Sequence, residues 1–241
     1  MSRPPASISS TDSPPAASPW LLWQVLDSAF PVGSFAHSGG LEAAVQFGFV
    51  ADAGALGEFI EVSLTQAARL AAPFVAAATT GDVSGDAAAF ESLNLHYDTL
   101  LTNDPANRAS RALGAATLAA GEAIGRDGAL AALRRATRER RGFAHLPVAF
   151  GVLARAAGMD AAGAVDAYLF QQARSLLSAA VRLGVVGPME SQRMLADFAA
   201  ARMRLIGLAM RTDVDSATAC APALDLLQSL HERLYSRLFN S

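Results

Sequence analysis

The stretch DSAFPVGSFAHSGGLE, from Asp27 to Glu42, separates two helical segments near the start of the chain. Pro31 and Gly33 interrupt it, and they end any helix that begins near Trp20. Proline has no backbone N–H to donate, and glycine loses more conformational freedom in a helix than other residues do. The stretch therefore predicts a bent loop between two helices.

A second helix is expected to begin at the far end of this bend. Ser38 can cap free N–H groups, and Glu42 in the first turn suits the positive end of a helix dipole. His37 and Ser38 would then lie at the tip of a helix–loop–helix corner, either as a structural turn or as a site. The corner residues singled out by this pattern are Asp27, Pro31, Gly33, His37, Ser38 and Glu42.

Composition favours helices throughout the chain. Of its 241 residues, 52% are hydrophobic and 17% are charged, and alanine and leucine dominate. Such residues form helices readily, whereas the β-branched and aromatic residues that favour strands are sparse. We predict an all-α, single-domain bundle of roughly ten helices with short loops over residues 20–241. Residues 1–19 are rich in proline and serine and lack the apolar core of a signal peptide, which predicts a disordered tail.

Charge and residue usage exclude several classes of function. The chain has no lysine, which rules out a P-loop, a Schiff-base lysine and a lysine general base. A net charge of −3 provides no basic field for nucleic acid, and no run is apolar enough to be a confident membrane span. Four scattered histidines and one cysteine do not suit a zinc site, and a lone cysteine fits a reducing, cytoplasmic compartment.

Periodicity predicts the limits of several helices. One long helix is expected over residues 55–79 with a bend at Pro73, and another starts near Asp82 or Ser84 and runs to about Leu101. A third covers residues 188–210. The last covers residues 222–239, with leucines repeating along one stripe and Arg233 and Arg237 beside it.

Two polar patterns stand out from these helices. The first is a stripe on the helix over residues 161–183, which would face water, meet a polar partner or line an internal channel. The second is an arginine cluster at residues 134–141, which would bind an acidic partner or a phosphate group, or form a solvated helix end. The stripe consists of Gln171, Ser175, Ser178 and Arg182.

An enzymatic alternative begins at Ala36-His37-Ser38-Gly39-Gly40, which has the A-x-S-x-G pattern of a hydrolase nucleophile turn. That turn needs a strand before the serine and a helix after it, and no β-rich run precedes Ser38. No H-E-x-x-H motif or histidine pair at helical ligand spacing is present, so the sequence predicts no metal ligands. A helical serine hydrolase is the weaker hypothesis, and a helical binding protein is the stronger one.

Five separated blocks resemble signatures of the F-type urease accessory proteins. The first block contains the corner itself, and the second block is RASRALG, residues 108–114. The third starts at His145 as H-x-P-V, and the fourth departs from the family pattern in its Gly-Val-Val-Gly loop. In chain order the blocks are residues 21–42, 108–114, 145–151, 178–187 and 222–241.

The resemblance implies an all-α, homodimeric accessory protein that is not itself an enzyme. Such a protein would bridge the D/H-type (UreD/UreH-type) accessory protein and the G-type (UreG-type) GTPase, and help direct nickel into apo-urease. Nickel would be handled by the complex, with no cofactor bound tightly by this chain. Partner contacts are implied for the C-terminal signature, at His231, Arg233, Tyr235, Arg237 and Phe239. A purely structural dimeric adaptor remains a further alternative.

Overall fold

The computed structural model describes residues 19–27, 29–31, 37–124 and 128–240. Gly33 and the predicted tail, apart from Pro19, lie outside the described residues. The described residues form twelve α-helices and no strand, which confirms the all-α prediction. The helices are α1 (Pro19–Leu26), α2 (Leu41–Gln46), α3 (Ala53–Leu70), α4 (Ala72–Thr80), α5 (Ala87–Leu100), α6 (Asp104–Ile124), α7 (Ala129–Glu139), α8 (Leu146–Ala156), α9 (Ala161–Arg182), α10 (Pro188–Phe198), α11 (Arg202–Met210) and α12 (Pro222–His231).

Two of the expected helices are each divided in two. The helix predicted over residues 55–79 breaks at Ala71, so Pro73 lies in the first turn of α4 rather than inside a bent helix. Proline suits that position, because backbone N–H groups in the first turn have no acceptor within the helix and the missing N–H of proline costs no hydrogen bond there. The helix predicted over residues 188–210 is also interrupted, by a turn at residues 199–201 between α10 and α11.

The start of α5 lies later than the sequence predicted. Asp82 and Ser84 belong to a short 3-10 turn, and Asp86 is the residue that caps the helix. The Asp86 carboxylate accepts hydrogen bonds from the backbone N–H groups of Ala88 and Ala89, at 2.8 and 3.2 Å. A carboxylate in this position accepts hydrogen bonds from backbone N–H groups of the first turn, which have no partner within the helix.

The centre of the bundle consists of α4, α8 and α9. Both α4 and α8 are apolar on nearly every face, as expected of helices surrounded by protein. At Gly151 in α8 an added Cβ would lie 2.6 Å from the Val75 carbonyl oxygen in α4. This close approach of two helices therefore requires glycine. The Thr79 hydroxyl donates to the carbonyls of Val75 and Gly151, at 2.7 and 3.2 Å, and needs no solvent partner.

Helix α6 approaches the start of α8 equally closely. A Cβ added at Gly114 would lie 2.1 Å from the Ala144 carbonyl oxygen, well inside contact distance. Gly114 ends the RASRALG block, and Ala144 immediately precedes His145. The glycine therefore brings the second and third signature blocks into direct contact.

The end of the chain differs from the prediction. Helix α12 ends at His231, whereas the sequence predicted a helix to Phe239. Residues 232–240, called here the C-terminal segment, contain no helix and fold back toward α2 and α9. Among the described residues, no helix is both long and apolar enough to cross a membrane.

Candidate functional site

A buried carboxylate on α2 holds the C-terminal segment in place. Glu42 is 1% exposed, and one of its oxygens lies 2.8 Å from Nε2 of His231, which is completely buried. The backbone N–H groups of Leu238 and Phe239 donate to the same carboxylate, at 2.6 and 3.2 Å. Buried polar groups need partners of this kind, because desolvation is costly without them. Glu42 therefore joins the first family signature to the last one.

Further contacts attach the C-terminal segment on both sides of Glu42. The Gln46 side chain donates to the Ser236 carbonyl at 3.0 Å. On α9, the Arg182 guanidinium lies 4.2 Å from the centre of the Phe239 ring, and it donates to the Leu238 carbonyl at 3.4 Å. Cation–ring contacts of this kind stabilise by roughly 0.5–2 kcal/mol. A segment without helical hydrogen bonds is thus fixed by side chains from α2 and α9.

The five residues predicted to bind partners divide into two groups. His231 and Phe239 are buried and contact this chain itself. Arg233, Tyr235 and Arg237 are exposed on the C-terminal segment, and the Tyr235 ring is fully open to solvent. Partner binding by these residues stays a prediction. The structure places the three exposed side chains where a partner can reach them.

A second polar cluster brings together the middle signature blocks. It is centred on Asp98 of α5, whose Oδ1 accepts from the Arg111 guanidinium at 2.5 Å and from the Asn107 amide at 2.8 Å. The same oxygen lies 3.0 Å from Nε2 of His145, and Nδ1 of His145 lies 3.0 Å from the Ser110 hydroxyl. Arg111 also lies over the Phe143 ring, 3.8 Å from its centre.

The protonation of this cluster follows from its surroundings. Burial lowers the pKa of His145, although Asp98 opposes that change. Burial acts to raise the pKa of Asp98, but hydrogen bonds from Arg111, Asn107 and His145 outweigh it and leave that pKa below its ordinary value. His145 is therefore neutral near pH 7. Its Nε2–H donates to Asp98, and its Nδ1 accepts the Ser110 hydroxyl proton.

The polar stripe on α9 contacts other parts of this chain. Its first member, Gln171, donates to the Val25 carbonyl at the end of α1, at 2.8 Å. Its last member is Arg182, which contacts the C-terminal segment as described above. Ser175 and Ser178 are half-buried between them. The stripe therefore contacts both α1 and the C-terminal segment.

A cavity of about 220 Å³ lies between the two clusters. It is bounded by the corner, by α6, by Leu146 at the start of α8, by the first half of the α9 stripe and by α12. Residues of four of the five signature blocks therefore line its wall; the fourth block does not. Burial, followed by the nearby His231, lowers the pKa of His37 at this wall. Burial raises the pKa of Asp225 on the α12 side, against a hydrogen bond from Gln66. Polar residues of the wall include His37, Ser38, Gln66, Ser110, Gln171, Ser175, Asp225 and Gln228.

The corner itself differs in detail from its prediction. Helix α2 is preceded by Gly40, which has a left-handed backbone (φ 88°), and no side chain caps the helix. Ser38 is completely buried and contributes its carbonyl to the N–H of Leu41, at 3.1 Å. Asp27 accepts from the Ala29 N–H at 2.6 Å, and Pro31 is exposed. The predicted capping of α2 by the Ser38 side chain is therefore wrong, and Ser38 is instead a buried residue of the cavity wall.

Sequence reasoning did not identify Asp98, Asn94 or Asp225. Asn94 and Asp98 are four residues apart on α5, and the Asn94 side chain accepts from the His145 N–H at 2.6 Å. Polar residues at that spacing on a helix share one face, and this was the available signal. Asp225 stands in the last signature block, but no spacing along the chain indicated that it would line the cavity, because its surroundings come from distant parts of the chain.

These features define a class: a helical protein with a partly open cavity that several polar side chains line, and an anchored C-terminal segment whose outer side chains are exposed. Among the residues that the structure describes, no group of three or more His, Cys, Asp or Glu side chains could hold a metal ion. The UreF family model matches residues 50–199. The chain belongs to the UreF family.

Similar proteins extend the match to the two ends of the fold. A protein named urease accessory protein F from Arabidopsis thaliana is 35% identical over 225 residues, which cover 92% of each chain. A protein of the same name from Oryza sativa subsp. indica is 34% identical over 91% of this chain and 84% of its own length. Urease accessory protein UreF of Mesorhizobium japonicum is 33% identical over 96% of this chain and all of its own length.

Proposed function

We propose that this protein assists urease maturation as a non-catalytic accessory protein. It would bind the D/H-type accessory protein and recruit the G-type GTPase, and the assembled complex would deliver nickel to apo-urease as cargo. Membership of the UreF family supports the role in urease maturation. The absence of lysine is consistent with binding rather than lysine-based catalysis.

The observation that carries the proposal is the anchored C-terminal segment. Glu42 fixes its backbone from inside, while Arg233, Tyr235 and Arg237 remain exposed outside. Tyrosine and arginine are enriched among residues that dominate protein interfaces, and a fixed backbone reduces the entropy lost on binding. Exposed apolar side chains directly after α2, at Phe47 and Phe49, and within the C-terminal segment, at Leu238, extend this surface.

Co-purification with the D/H-type accessory protein tests this surface. We expect a triple substitution of Arg233→Ala, Tyr235→Ala and Arg237→Ala to weaken binding about tenfold or more, which corresponds to about 1.4 kcal/mol. A matched control changes three exposed residues to alanine: Arg193 of α10, Met203 of α11 and Arg211 directly after α11. Retained binding by the first variant, or equal loss by both, would contradict the assignment.

A homodimer is also proposed, on the basis of the family resemblance and an apolar surface at α1. Trp20 is 77% exposed and Trp23 60%, and the two rings contact each other edge to face. On the same helix, Leu22 and Leu26 line a groove of about 1040 Å³ that α1 forms with α9, α10 and α11. Light scattering after size-exclusion chromatography measures the molar mass, and a monomer at all concentrations would contradict the dimer.

A further inference from the structure

A cleft of about 460 Å³ between α6 and α7 has a basic rim and an apolar floor. Ala115, Ala116 and Leu118 of α6 form the floor together with Phe143. Arg134 and Arg138 of α7 lie at the rim. A volume of this size is within the range of about 300–1,000 Å³ that is usual for ligand pockets. The combination suits a ligand with both apolar and acidic groups.

Several arginines near the cleft have no acidic partner among the described residues. Arg134 pairs with Glu122, and Arg140 pairs with Glu91 at 2.6 Å. Arg135, Arg138 and Arg141 are not paired with any described carboxylate, although all three belong to the same short segment. Glu139 is the one acidic residue in residues 134–141, which contain five arginines. The segment therefore keeps an excess of positive charge in a chain whose net charge is −3.

The backbone fixes these charges beside the cleft. Arg141 has a positive φ of 51°, which is uncommon for a residue with a side chain. The N–H of the next residue, Gly142, donates to the Thr137 carbonyl at 2.9 Å, and the Arg141 N–H donates to Arg138 at 3.1 Å. These bonds close the end of α7. Gly142 and Thr137 themselves line the cleft, so the cationic end of α7 is part of the cleft wall.

We propose that this cleft is a docking site for an acidic peptide segment of another protein, in which carboxylates flank an apolar side chain. The apolar side chain would cover the floor formed by Leu118 and Phe143. The carboxylates would pair with Arg138 and its unpaired neighbours, since arginine binds carboxylates through two parallel hydrogen bonds. Arg111 contributes less charge, because Asp98 already neutralises it.

Fluorescence anisotropy with a labelled pentapeptide, Glu-Glu-Leu-Glu-Glu, tests the proposal on the full chain. We expect saturable binding that weakens as salt is raised, and at least about tenfold weaker binding of the corresponding Gln-Gln-Leu-Gln-Gln peptide. Equal binding of the two peptides, or no saturation by the acidic one, would overturn the proposal.

Two arginine variants separate the cleft from general charge effects. The double variant Arg138→Gln with Arg141→Gln should weaken binding of the acidic peptide about tenfold. It leaves a non-glycine residue at position 141, so the backbone strain there is unchanged. The control is Arg193→Gln on α10 with Arg211→Gln directly after α11. It changes the net charge equally and should leave affinity within about twofold. Equal losses in the two variants would overturn the assignment to the cleft.

Inorganic pyrophosphate provides the competing occupant. A phosphate site would bind pyrophosphate more tightly than the peptide, and the same double variant would abolish that binding. This outcome would replace the peptide-docking proposal. If pyrophosphate displaced the peptide only weakly and bound no more tightly than the peptide, the peptide-docking proposal would be supported. Thermal unfolding of each variant, followed by circular dichroism, should match the unmodified chain because the changed side chains are exposed.

Discussion

His145 shows how single residues of this fold combine distant parts of the chain. Its ring contacts Asp98 of α5 and Ser110 of α6, and its backbone N–H donates to Asn94. The Leu146 N–H also lies 3.3 Å from the Ser110 hydroxyl oxygen. Every polar atom of the buried ring thus has a partner, as expected for buried polar groups. His145 is thus a hydrogen-bonded residue of the core.

The lowered pKa of His145 predicts a loss of stability on acidification. Because the folded chain disfavours the protonated ring, the unfolded chain binds more protons once pH falls through about 6.5. The stabilisation is fully present above that value and is lost as pH falls below it. We expect His145→Gln to reduce the pH dependence of the unfolding free energy between about pH 7.5 and 5.5, by up to about 1.4 kcal/mol per pH unit.

Urea denaturation at several pH values measures this effect. His37 also has a lowered pKa, so part of the pH dependence should remain in the His145 variant. Leu95→Ala, on the same helix as Asp98 but exposed and without a titratable group, is the control and should retain the dependence of the unmodified chain. If His145→Gln and the unmodified chain gave the same slope against pH, the protonation assigned to the cluster would be wrong.

At the level of helices, the C-terminal segment shows that a periodic pattern of leucines predicts a helix but not the residue at which it ends. Leucines at 227, 230, 234 and 238 keep a helical period to the end of the chain, yet α12 stops at His231. The N–H groups of Leu238 and Phe239 donate to Glu42 instead of to carbonyls four residues earlier. A bond between positions 196 residues apart leaves no local signal. The periodic pattern therefore predicted the helix but not its end.

Removing the Glu42 carboxylate should release the C-terminal segment. Glu42→Ala leaves His231 and two backbone N–H groups without their acceptor, and loss of one member of a buried pair costs about 3–5 kcal/mol. Urea denaturation measures this loss. Limited trypsin digestion should show faster cleavage after Arg237, because an anchored backbone resists the protease. We expect a smaller loss for Glu42→Gln, which keeps one oxygen acceptor.

Glu58→Ala is the control for this experiment, because Glu58 is exposed on α3 and its removal should change stability by less than about 0.5 kcal/mol. If Glu42→Ala left the cleavage rate at Arg237 unchanged, Glu42 would not be the anchor of the segment. A rise in cleavage at every arginine would instead indicate general unfolding. Mass spectrometry of the first fragments separates these two results.

At the scale of the whole molecule, the sequence predicted the fold class and the order of its signatures better than their arrangement. Composition and periodicity were sufficient for an all-α bundle, because they act locally along each helix. The meeting of the corner, Ser110, the α9 stripe and α12 at one cavity depends on tertiary packing. The family resemblance identified most of these residues, but no spacing along the chain gave their distances.

Urease activation tests the account most directly. The unmodified chain would be expressed in cells that contain urease and the other accessory proteins but lack their own UreF, and the nickel content of purified urease would be measured. We predict that the chain restores nickel loading and that the triple substitution at Arg233, Tyr235 and Arg237 removes most of it, while the control at Arg193, Met203 and Arg211 does not. Equal nickel content with and without the chain, in cells where it is folded and abundant, would contradict its role in urease maturation.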